Sequence, residues 1–291
     1  MGLFSGKKNR PEGVTLSPDT TAGRIALTPE TLSAAAGPRR LLSYRVANLQ
    51  GIGTRQGQED SFSFANASDV NQIREKGLLA IVADGMGGMK DGKLASETTV
   101  DSIRATFDTF DYSADLSQQL CNALRVASDR VYGILKGMGG STAVVCLFYD
   151  GYLYYASAGD SFLYLLHRGQ LTRVNRLHTV FHEECASLIA RGSFDPSGPS
   201  ENPEKKALSM FVGIDELSDV DCFRIPLKLE GEDVLLLCSD GVGDVLSEQE
   251  IRESLSLSSP RTMCVALEQL IFSKARKYQD NYTALVIKCE Y

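Results

Sequence analysis

The stretch LLAIVADGMGGMKDGKLAS, residues 78–96, runs from an apolar segment into an acidic and glycine-rich cluster. Residues 78–83 are typical of a buried strand, and Asp84 stands where that strand would end. Glycines beside a carboxylate give a ligand room to approach the backbone, and they leave a carbonyl free to coordinate it. A single aspartate at a strand end is usually a turn former, so the role of Asp84 depends on the other strand ends.

Acidic residues stand at four more predicted strand ends. Asp240 follows VLLLCS, Asp280 precedes NYTALVIKCE, Asp160 lies at a break between two strands, and Glu59-Asp60 precede SFSFAN. Charged side chains are rarely buried unless they are paired or bind a metal. Because oxygen ligands without clustered Cys or His suit hard cations, the pattern favours Mg²⁺ or Mn²⁺ over zinc or copper.

Composition narrows the function classes. The chain has 291 residues, of which 43% are hydrophobic and 23% are charged, as in an ordinary globular protein. Its net charge of −7 argues against nucleic acid or an anionic membrane as the main partner. No apolar run reaches the length of a membrane span, and the start lacks the apolar region of a signal peptide. We therefore expect a cytoplasmic protein.

The cysteines and histidines do not suggest a site. The seven cysteines are scattered without disulfide or zinc spacing, which predicts buried, reduced thiols. His167 is expected at the surface beside a turn. His178 and His182 lie four residues apart, and they are interpreted as ordinary helix residues because no third ligand accompanies them.

Two regions can be distinguished along the chain. Residues 1–40 are rich in Gly, Pro, Ser and Thr and predict a flexible tail, whereas residues 41–291 predict the folded domain. Within the domain, residues 141–174 predict a four-stranded meander with Asp-Gly and Arg-Gly turns and a break at Gly159-Asp160. Antiparallel strands with helices grouped between them indicate an α+β layered domain.

Helical periodicity is clear in three segments. Residues 93–110 and 116–136 carry apolar residues at three- and four-residue spacing. Residues 259–277 predict a helix with Ser259 as N-cap and Pro260 at its first position. The stretch 193–213 is too irregular for a core element, and a loop of this length in a compact domain is usually disordered or functional.

Six motifs in order carry a family resemblance. They are GTRQGQEDSF, VADGMGG…DGKLAS, GGSTAVV, ASAGDSFLYLL…GQL, LLLCSDGVGDVLS and DNYTALVI. With these motifs the chain resembles the metal-dependent serine/threonine protein phosphatase family, type 2C (PPM), in its bacterial form, and the resemblance covers roughly residues 44–291. The resemblance implies an α+β, four-layer αββα sandwich, in which a central antiparallel β-sandwich is flanked by helices. It also implies two tightly bound Mn²⁺ or Mg²⁺ ions and hydrolysis of phosphoserine and phosphothreonine.

The resemblance also implies roles for single residues. Asp84 would bridge the two metals with the Gly85 carbonyl beside it, and Asp240 and Asp280 would complete the ligand set on one metal. Asp60, with Glu59, would act close by, partly through water. Arg55 would bind the substrate phosphate, since its planar donors suit that anion. Asp160 and Asp244 would hold a weaker third ion, and Asn281 would orient the backbone.

The implied reaction needs no phosphoenzyme. The metals would lower the pKa of a bridging water, and the resulting hydroxide would attack phosphorus in line while the cations and Arg55 neutralise charge. With Asp60 and Asp84, Arg55 forms the predicted catalytic set. Cys238, two residues before Asp240, is then a core thiol.

Four positions depart from the family pattern. Phe162 replaces an arginine, Leu177 replaces an aspartate, and Met89 replaces a histidine that bacterial members often carry. Met86 stands where animal members have a proposed general-acid histidine. None of these is in the predicted ligand set. The group that protonates the leaving alkoxide stays open, with a metal-bound water as one candidate.

Two other function classes stay open. One is a catalytically weak regulatory domain that keeps the phosphatase fold and binds a phosphoprotein. The other is a metal-dependent nuclease, which the negative charge and the lack of a basic, aromatic surface disfavour. For the phosphatase, we expect phosphoprotein partners that are substrates of a cognate Ser/Thr kinase, no nucleic acid, no membrane, and a monomer.

Overall fold

The computed structural model describes residues 42–193 and 195–291. The predicted tail, residues 1–40, lies outside the described residues, so that prediction stays open. The described strands, in chain order, are β1 Ser43–Gly51, β2 Ser61–Ala65, β3 Leu78–Ala83, β4 Gly85–Met86, β5 Gly140–Ser141, β6 Ala143–Tyr149, β7 Tyr152–Ala158, β8 Phe162–His167, β9 Gln170–Arg173, β10 Asp221–Cys222, β11 Leu227–Lys228, β12 Val234–Cys238 and β13 Tyr282–Glu290. The described helices are α1 Val70–Lys76, α2 Met89–Phe107, α3 Leu116–Leu135, α4 Val180–Ala190, α5 Ser197–Glu201, α6 Asp240–Gly243, α7 Glu248–Leu255 and α8 Pro260–Ser273.

Two antiparallel sheets form the centre of the domain. The first sheet has the order β1-β13-β12-β8-β9. The second has the order β10-β7-β6-β3-β2, with β11 also pairing with β7. The short strands β4 and β5 pair with each other immediately beyond the end of β3, and Ser141 of β5 also bridges to Val212.

Apolar side chains on both faces of the strands connect four layers. In β3, Leu78, Ala80 and Val82 pack in one cluster with Leu235, Leu237, Leu285 and Ile287 of the first sheet. The opposite face of β3 carries Leu79 and Ile81, which pack against α2 and α3. The outer face of the first sheet packs against α7 and α8 in the same way. Because side chains alternate across each strand, the layers are helix, sheet, sheet, helix. The predicted α+β αββα sandwich is confirmed.

The predicted helices are present. The apolar stripe of α3, which includes Leu120, Leu124 and Val131, is buried. Helix α8 begins as predicted, with Ser259 accepting a hydrogen bond from the Thr262 N–H and Pro260 at the first position. Among the described residues, none of the helices has the length and apolarity that crossing a membrane requires.

The predicted four-stranded meander is wrong as a single sheet. All four strands form, but β6 and β7 belong to the second sheet, whereas β8 and β9 belong to the first. The chain crosses between the sheets at Gly159-Asp160. Gly159 has φ +102°, and a Cβ at this position would lie 2.7 Å from the Thr142 side chain. Only glycine adopts this conformation freely. The crossing places Asp160 at the edge where the two sheets meet.

Two smaller predictions need correction. His178 is not a helix residue, because α4 begins at Val180 with Thr179 as its N-cap, and the imidazole of His178 is fully buried. His182, by contrast, lies in the first turn of α4. All seven cysteines are free, as predicted, but Cys185 and Cys222 are only half-buried.

Candidate metal centre and active site

Asp84 is fixed at the end of β3 by its neighbours. Its backbone carbonyl accepts hydrogen bonds from the Thr142 N–H at 2.8 Å and the Ser141 hydroxyl at 3.1 Å. Its own N–H donates to Thr142 Oγ1 at 3.1 Å. The same Thr142 hydroxyl lies 2.7 Å from Ser161 Oγ, which ties Asp84 to the loop that carries Asp160. The sheet-crossing loop and the strand end therefore hold each other in place.

A cavity of about 330 Å³ opens above this point. It brings together most of the predicted site residues, namely Arg55, Glu59, Asp84, Gly85, Asp160, Asp240 and Asp280, with Met86, Thr142, Leu208 and Asn281 also on its wall. Asp60 is buried and does not line the cavity. Asp244 does not line this cavity. It lines two neighbouring cavities, one of which it shares with Asp160 and the other with Asp240. The two sheets thus contribute carboxylates to one place.

Asp60 is held from below by two hydroxyls. Its Oδ2 accepts from Thr283 Oγ1 at 2.7 Å and from Ser239 Oγ at 2.9 Å. Its Oδ1 is buried and has no hydrogen-bond partner. Burial raises the pKa of Asp60 to about 6, even though the two hydroxyls and a contact with Asp84 lower it. One oxygen is therefore anchored, and the other is left unsatisfied.

The neighbouring carboxylates are destabilised in their charged forms as well. Burial, followed by the negative charge of Asp60, raises the pKa of Asp84 well above its ordinary value. Burial, followed by the charge of Asp160, raises the pKa of Asp240 to about 7. Burial, followed by the charge of Asp244, raises the pKa of Asp160 to about 6. Like charges in a poorly solvated site oppose ionisation, and a bound cation would relieve that opposition.

The donor set fits divalent cations such as Mn²⁺ or Mg²⁺. It consists of oxygen atoms, and the buried Oδ1 of Asp240, like that of Asp60, has no partner. Within residues 42–193 and 195–291, no three acidic, histidine or cysteine side chains already converge as the ligands of a single ion. The carboxylates line a cavity instead, so the assignment of ligands to individual ions stays a prediction.

Arg55 and Asn281 organise the mouth of the cavity. The Arg55 guanidinium donates to Asp280 Oδ2 at 2.5 Å. Asn281 Oδ1 accepts from the Glu59 N–H at 2.8 Å, and its Nδ2 donates to the carbonyls of Ile52 and Gly57. Asn281 therefore fastens the loop that carries Arg55 and Glu59 onto the start of β13, and its predicted role in orienting the backbone is confirmed.

Comparison with known proteins decides the family. The sequence profile described as Protein phosphatase 2C matches residues 44–186. The serine/threonine phosphatase stp of Listeria innocua is 30% identical over 230 residues, which cover 75% of this chain and 87% of that protein. This chain belongs to the protein phosphatase 2C family. Protein phosphatase PhpP of Streptococcus pneumoniae is 27% identical, over 62% of this chain and 74% of its own length.

Solved structures of this phosphatase 2C fold agree with the architecture. The phosphatase PstP/Ppp of Mycobacterium tuberculosis superposes with a TM-score of 0.70 at 25% identity, covering 86% of this chain and 100% of that one. The catalytic domain of PstP in complex with two manganese ions gives a TM-score of 0.67 at 25% identity, with the same coverage.

Asp244, one of the two ligands predicted for a third ion in this phosphatase 2C domain, is paired with a lysine. Lys206, from the irregular stretch 193–213, lies with its Nζ 2.7 Å from Asp244 Oδ2. Arg276 Nη2 donates to the backbone carbonyl of Asp244 at 3.0 Å. A second cavity of about 350 Å³ lies beneath this stretch, and its wall includes Asp160, Phe162, Phe181 and Lys206. The stretch 193–213 thus covers one side of the site.

The departures from the family pattern can now be placed. Phe162 stacks on Tyr164, with 5.8 Å between ring centroids, and lies against Gly243, so it provides no cation near Asp160. Met86 lines the cavity of about 330 Å³ and offers no proton. Gly85 cannot be replaced without strain, because a Cβ there would lie 2.0 Å from the Gly92 carbonyl.

Sequence reasoning missed the residues that support the carboxylates. Thr142, Ser239 and Thr283 each donate to, or fix, a predicted ligand. Thr142 lies in the GGSTAVV motif and Thr283 in DNYTALVI, so the motifs contained these two residues. The neighbouring sequence does not show, however, which carboxylate each hydroxyl contacts. Lys206 carried no signal at all, since its partner Asp244 is distant in sequence.

Proposed function

We propose that this chain is a metal-dependent protein phosphatase that hydrolyses phosphoserine and phosphothreonine. The observation that carries the proposal is that the carboxylates of Asp84, Asp160 and Asp240 line one cavity with the guanidinium of Arg55, and that the buried carboxylate of Asp60 lies against Asp84. Among the described residues, no basic side chain forms an ion pair with any of the four. Their charge therefore calls for cations from outside the chain.

The residues divide into an inner and an outer group. Asp84, Asp240, Asp280 and the Gly85 carbonyl would hold two Mn²⁺ or Mg²⁺ ions, with Asp60 and Glu59 acting nearby through water. Asp160 and Asp244 would hold a third ion more weakly. When bound, such ions would lower the pKa of a coordinated water towards about 7. They would also supply positive charge that stabilises the phosphoryl group.

The chain's own residues then have three tasks. Arg55, with its planar donors, would bind the phosphate at the mouth of the cavity. Ser239 and Thr283 keep one oxygen of Asp60 occupied, so that its other oxygen faces a fixed direction. Met86 makes the wall beside Gly85 apolar. No nucleophilic side chain is required, and the Cys238 thiol, which is fully buried, is unsuited to that role.

The alternatives are less well supported. A regulatory domain without activity would have no need of a carboxylate set whose ionisation is this costly, and the set is intact here. A nuclease would need basic residues along an extended surface. The proposal includes phosphoprotein substrates made by a cognate Ser/Thr kinase, a monomeric state and a cytoplasmic location.

Turnover of p-nitrophenyl phosphate and of a phosphothreonine peptide tests the proposal. We expect both substrates to be hydrolysed when Mn²⁺ or Mg²⁺ is added. The hydrolysis should cease with excess EDTA and should not be inhibited by okadaic acid. Peptide binding without hydrolysis under all metal conditions would favour the regulatory domain. Cleavage of DNA in place of the phosphopeptide would favour the nuclease.

A further inference from the structure

A third cavity adjoins the catalytic one on the side of Arg55. It measures about 460 Å³, and we call it the flanking groove; its wall includes Thr54, Arg55, Asp244, Arg276, Tyr278 and Asp280. Arg55, Asp240 and Asp280 line both the flanking groove and the catalytic cavity, so the two are continuous. A molecule bound at Arg55 could therefore extend into the groove without leaving the protein surface.

The outer wall of the groove is basic. It is formed by the segment between α8 and β13, in which Arg276 and Tyr278 line the groove and the exposed Lys277 stands between them in the chain. In the part of the chain that the structure describes, neither basic side chain has a carboxylate within ion-pair distance: Arg276 donates to the carbonyl of Asp244, and Lys277 lies over the Tyr278 ring at 5.1 Å. Lys274, in the same segment, is different, because it pairs with Glu250 at 2.6 Å.

The basic segment is held at a fixed distance from Arg55. Gln279 donates through Nε2 to the Gly241 carbonyl at 2.9 Å. Its backbone exchanges hydrogen bonds with Thr54, the residue before Arg55, at 2.8 to 3.0 Å. Arg276 and Lys277 therefore stand on a short turn that is anchored to the phosphate-binding loop, and their positions do not depend on their own exposed side chains.

The acidic side chains on the inner wall do not cancel this charge. Asp280 is paired with Arg55, and Asp244 is paired with Lys206. Asp240 lines the groove as well as the catalytic cavity, and it is one of the proposed metal ligands. With Asp240 holding a metal ion, the unpaired charge left at the rim is positive, in a chain whose net charge is −7. Tyr278, with 78% of its surface exposed, adds an aromatic face beside these cations.

We propose that the flanking groove binds an acidic side chain close to the phosphorylated residue, so that the preferred substrates are acidic phosphopeptides. This inference rests on the proposed phosphatase function. An extended peptide advances about 3.3 Å per residue, so positions one to three residues from the phosphoresidue span a cavity of this size. A carboxylate there meets Arg276 on the wall of the groove, with Lys277 beside it at the rim, and the neighbouring side chain packs on Tyr278. Charge complementarity at a rim of this kind selects partners more than it adds affinity.

The test uses three phosphothreonine peptides that differ only in their flanks. One carries Glu on the N-terminal side, one carries Glu on the C-terminal side, and one carries Gln on both. Affinities are measured by fluorescence anisotropy on the unaltered chain with Mn²⁺, with a non-hydrolysable phosphonate in place of the phosphate in each peptide, so that binding is separated from turnover. Turnover of p-nitrophenyl phosphate by the unaltered chain decides the phosphatase function separately.

We expect one of the two Glu peptides to bind five- to tenfold more tightly than the Gln peptide, as about two rim ion pairs would give. Arg276→Ala/Lys277→Ala should remove the difference between the Glu and Gln peptides. Lys274→Ala, which deletes a charge from the same segment but away from the groove, should keep it. Equal affinities for all three peptides, or a Glu preference that persists in the double variant, would overturn the inference.

Discussion

Arg55 Nη2 lies 2.5 Å from Asp280 Oδ2, so the predicted phosphate ligand is paired with a predicted metal ligand. The pair is at the surface, with 59% of the Arg55 side chain and 40% of the Asp280 side chain exposed. A cation at Asp280 would compete with the guanidinium for the carboxylate. Arg55 would then be free to bind phosphate, which links metal binding to substrate binding.

The first prediction concerns Arg55→Ala. Because an exposed charge-assisted donor contributes less than a buried one, we expect a loss of about 1.5–3 kcal/mol in kcat/KM, roughly 10- to 150-fold. KM should rise and kcat should fall, since phosphate is bound both before and during the reaction. Arg55→Lys is the matched control, which keeps the charge but loses the paired donors and should recover only part of the loss. Unchanged kinetics in the folded alanine variant would remove Arg55 from the site.

The second prediction separates the inner from the outer carboxylates. Asp84→Asn or Asp240→Asn should abolish turnover and lower the number of Mn²⁺ ions retained after gel filtration. Asp160→Ala should keep the tightly bound pair and slow turnover, because Asp160 is assigned only to the weak third ion. Metal content by mass spectrometry, beside p-nitrophenyl phosphate turnover, measures both effects. If Asp160→Ala loses the tight pair, the ligand assignment is wrong.

The third prediction concerns the ion pair between Lys206 and Asp244. A metal ion at Asp244 has to displace this ammonium, so Lys206→Met should strengthen the weakest Mn²⁺ binding step by about three- to fivefold, the scale of an exposed ion pair. It should also speed amide hydrogen exchange over residues 195–208. Lys205→Met is the matched control, because Lys205 Nζ donates to the Ser200 carbonyl and makes no ion pair with Asp244. Identical Mn²⁺ titrations of both variants would contradict the competition.

The fourth prediction is the pH dependence of the metal-free protein. The pKa of Asp60 is raised from 3.8 to about 6, and that of Asp240 from 3.8 to about 7, chiefly by burial. The folded chain therefore holds these protons more tightly than the unfolded chain does. Their contribution to the free energy of unfolding is fully present below about pH 4 and is lost as the pH rises towards 7.

Thermal melts in EDTA measure this effect. We expect the Tm of the unaltered chain to fall relative to that of Asp240→Asn as the pH rises from 4 to 7.5, since asparagine does not ionise. Added Mn²⁺ should raise the Tm more at pH 7.5 than at pH 5.5, because deprotonated carboxylates are the ligands. A Tm difference between the two proteins that stays constant with pH would show that Asp240 titrates normally.

The strand ends and their carboxylates could be predicted from the sequence because both signals are local. An apolar run followed by Asp and Gly marks the end of a strand wherever that strand lies. The sheet to which a hairpin belongs is not local. Strands β6 and β8 are both mainly apolar, since each is covered on two faces, so their patterns do not distinguish one sheet from the other.

The start of helix α4 and the pairings around the site could not be predicted from the sequence for a similar reason. Helix α4 has no fully buried residue and therefore no clear apolar stripe. The hydrogen bonds from Thr283 to Asp60 and from Lys206 to Asp244 join residues that are distant along the chain. Such contacts depend on how the sheets pack, and no window of neighbouring residues contains that information.

The apolar contacts between the four layers have an evolutionary consequence. They form three clusters, and the carboxylates of the site stand outside all of them. The carboxylates are also costly to bury, so we expect a neutral replacement at Asp84 or Asp240 to remove activity while leaving the layers intact and relieving repulsion. A duplicated gene freed from selection for turnover would therefore shed its ligands early and still encode a well-folded protein, ready to be selected for binding alone.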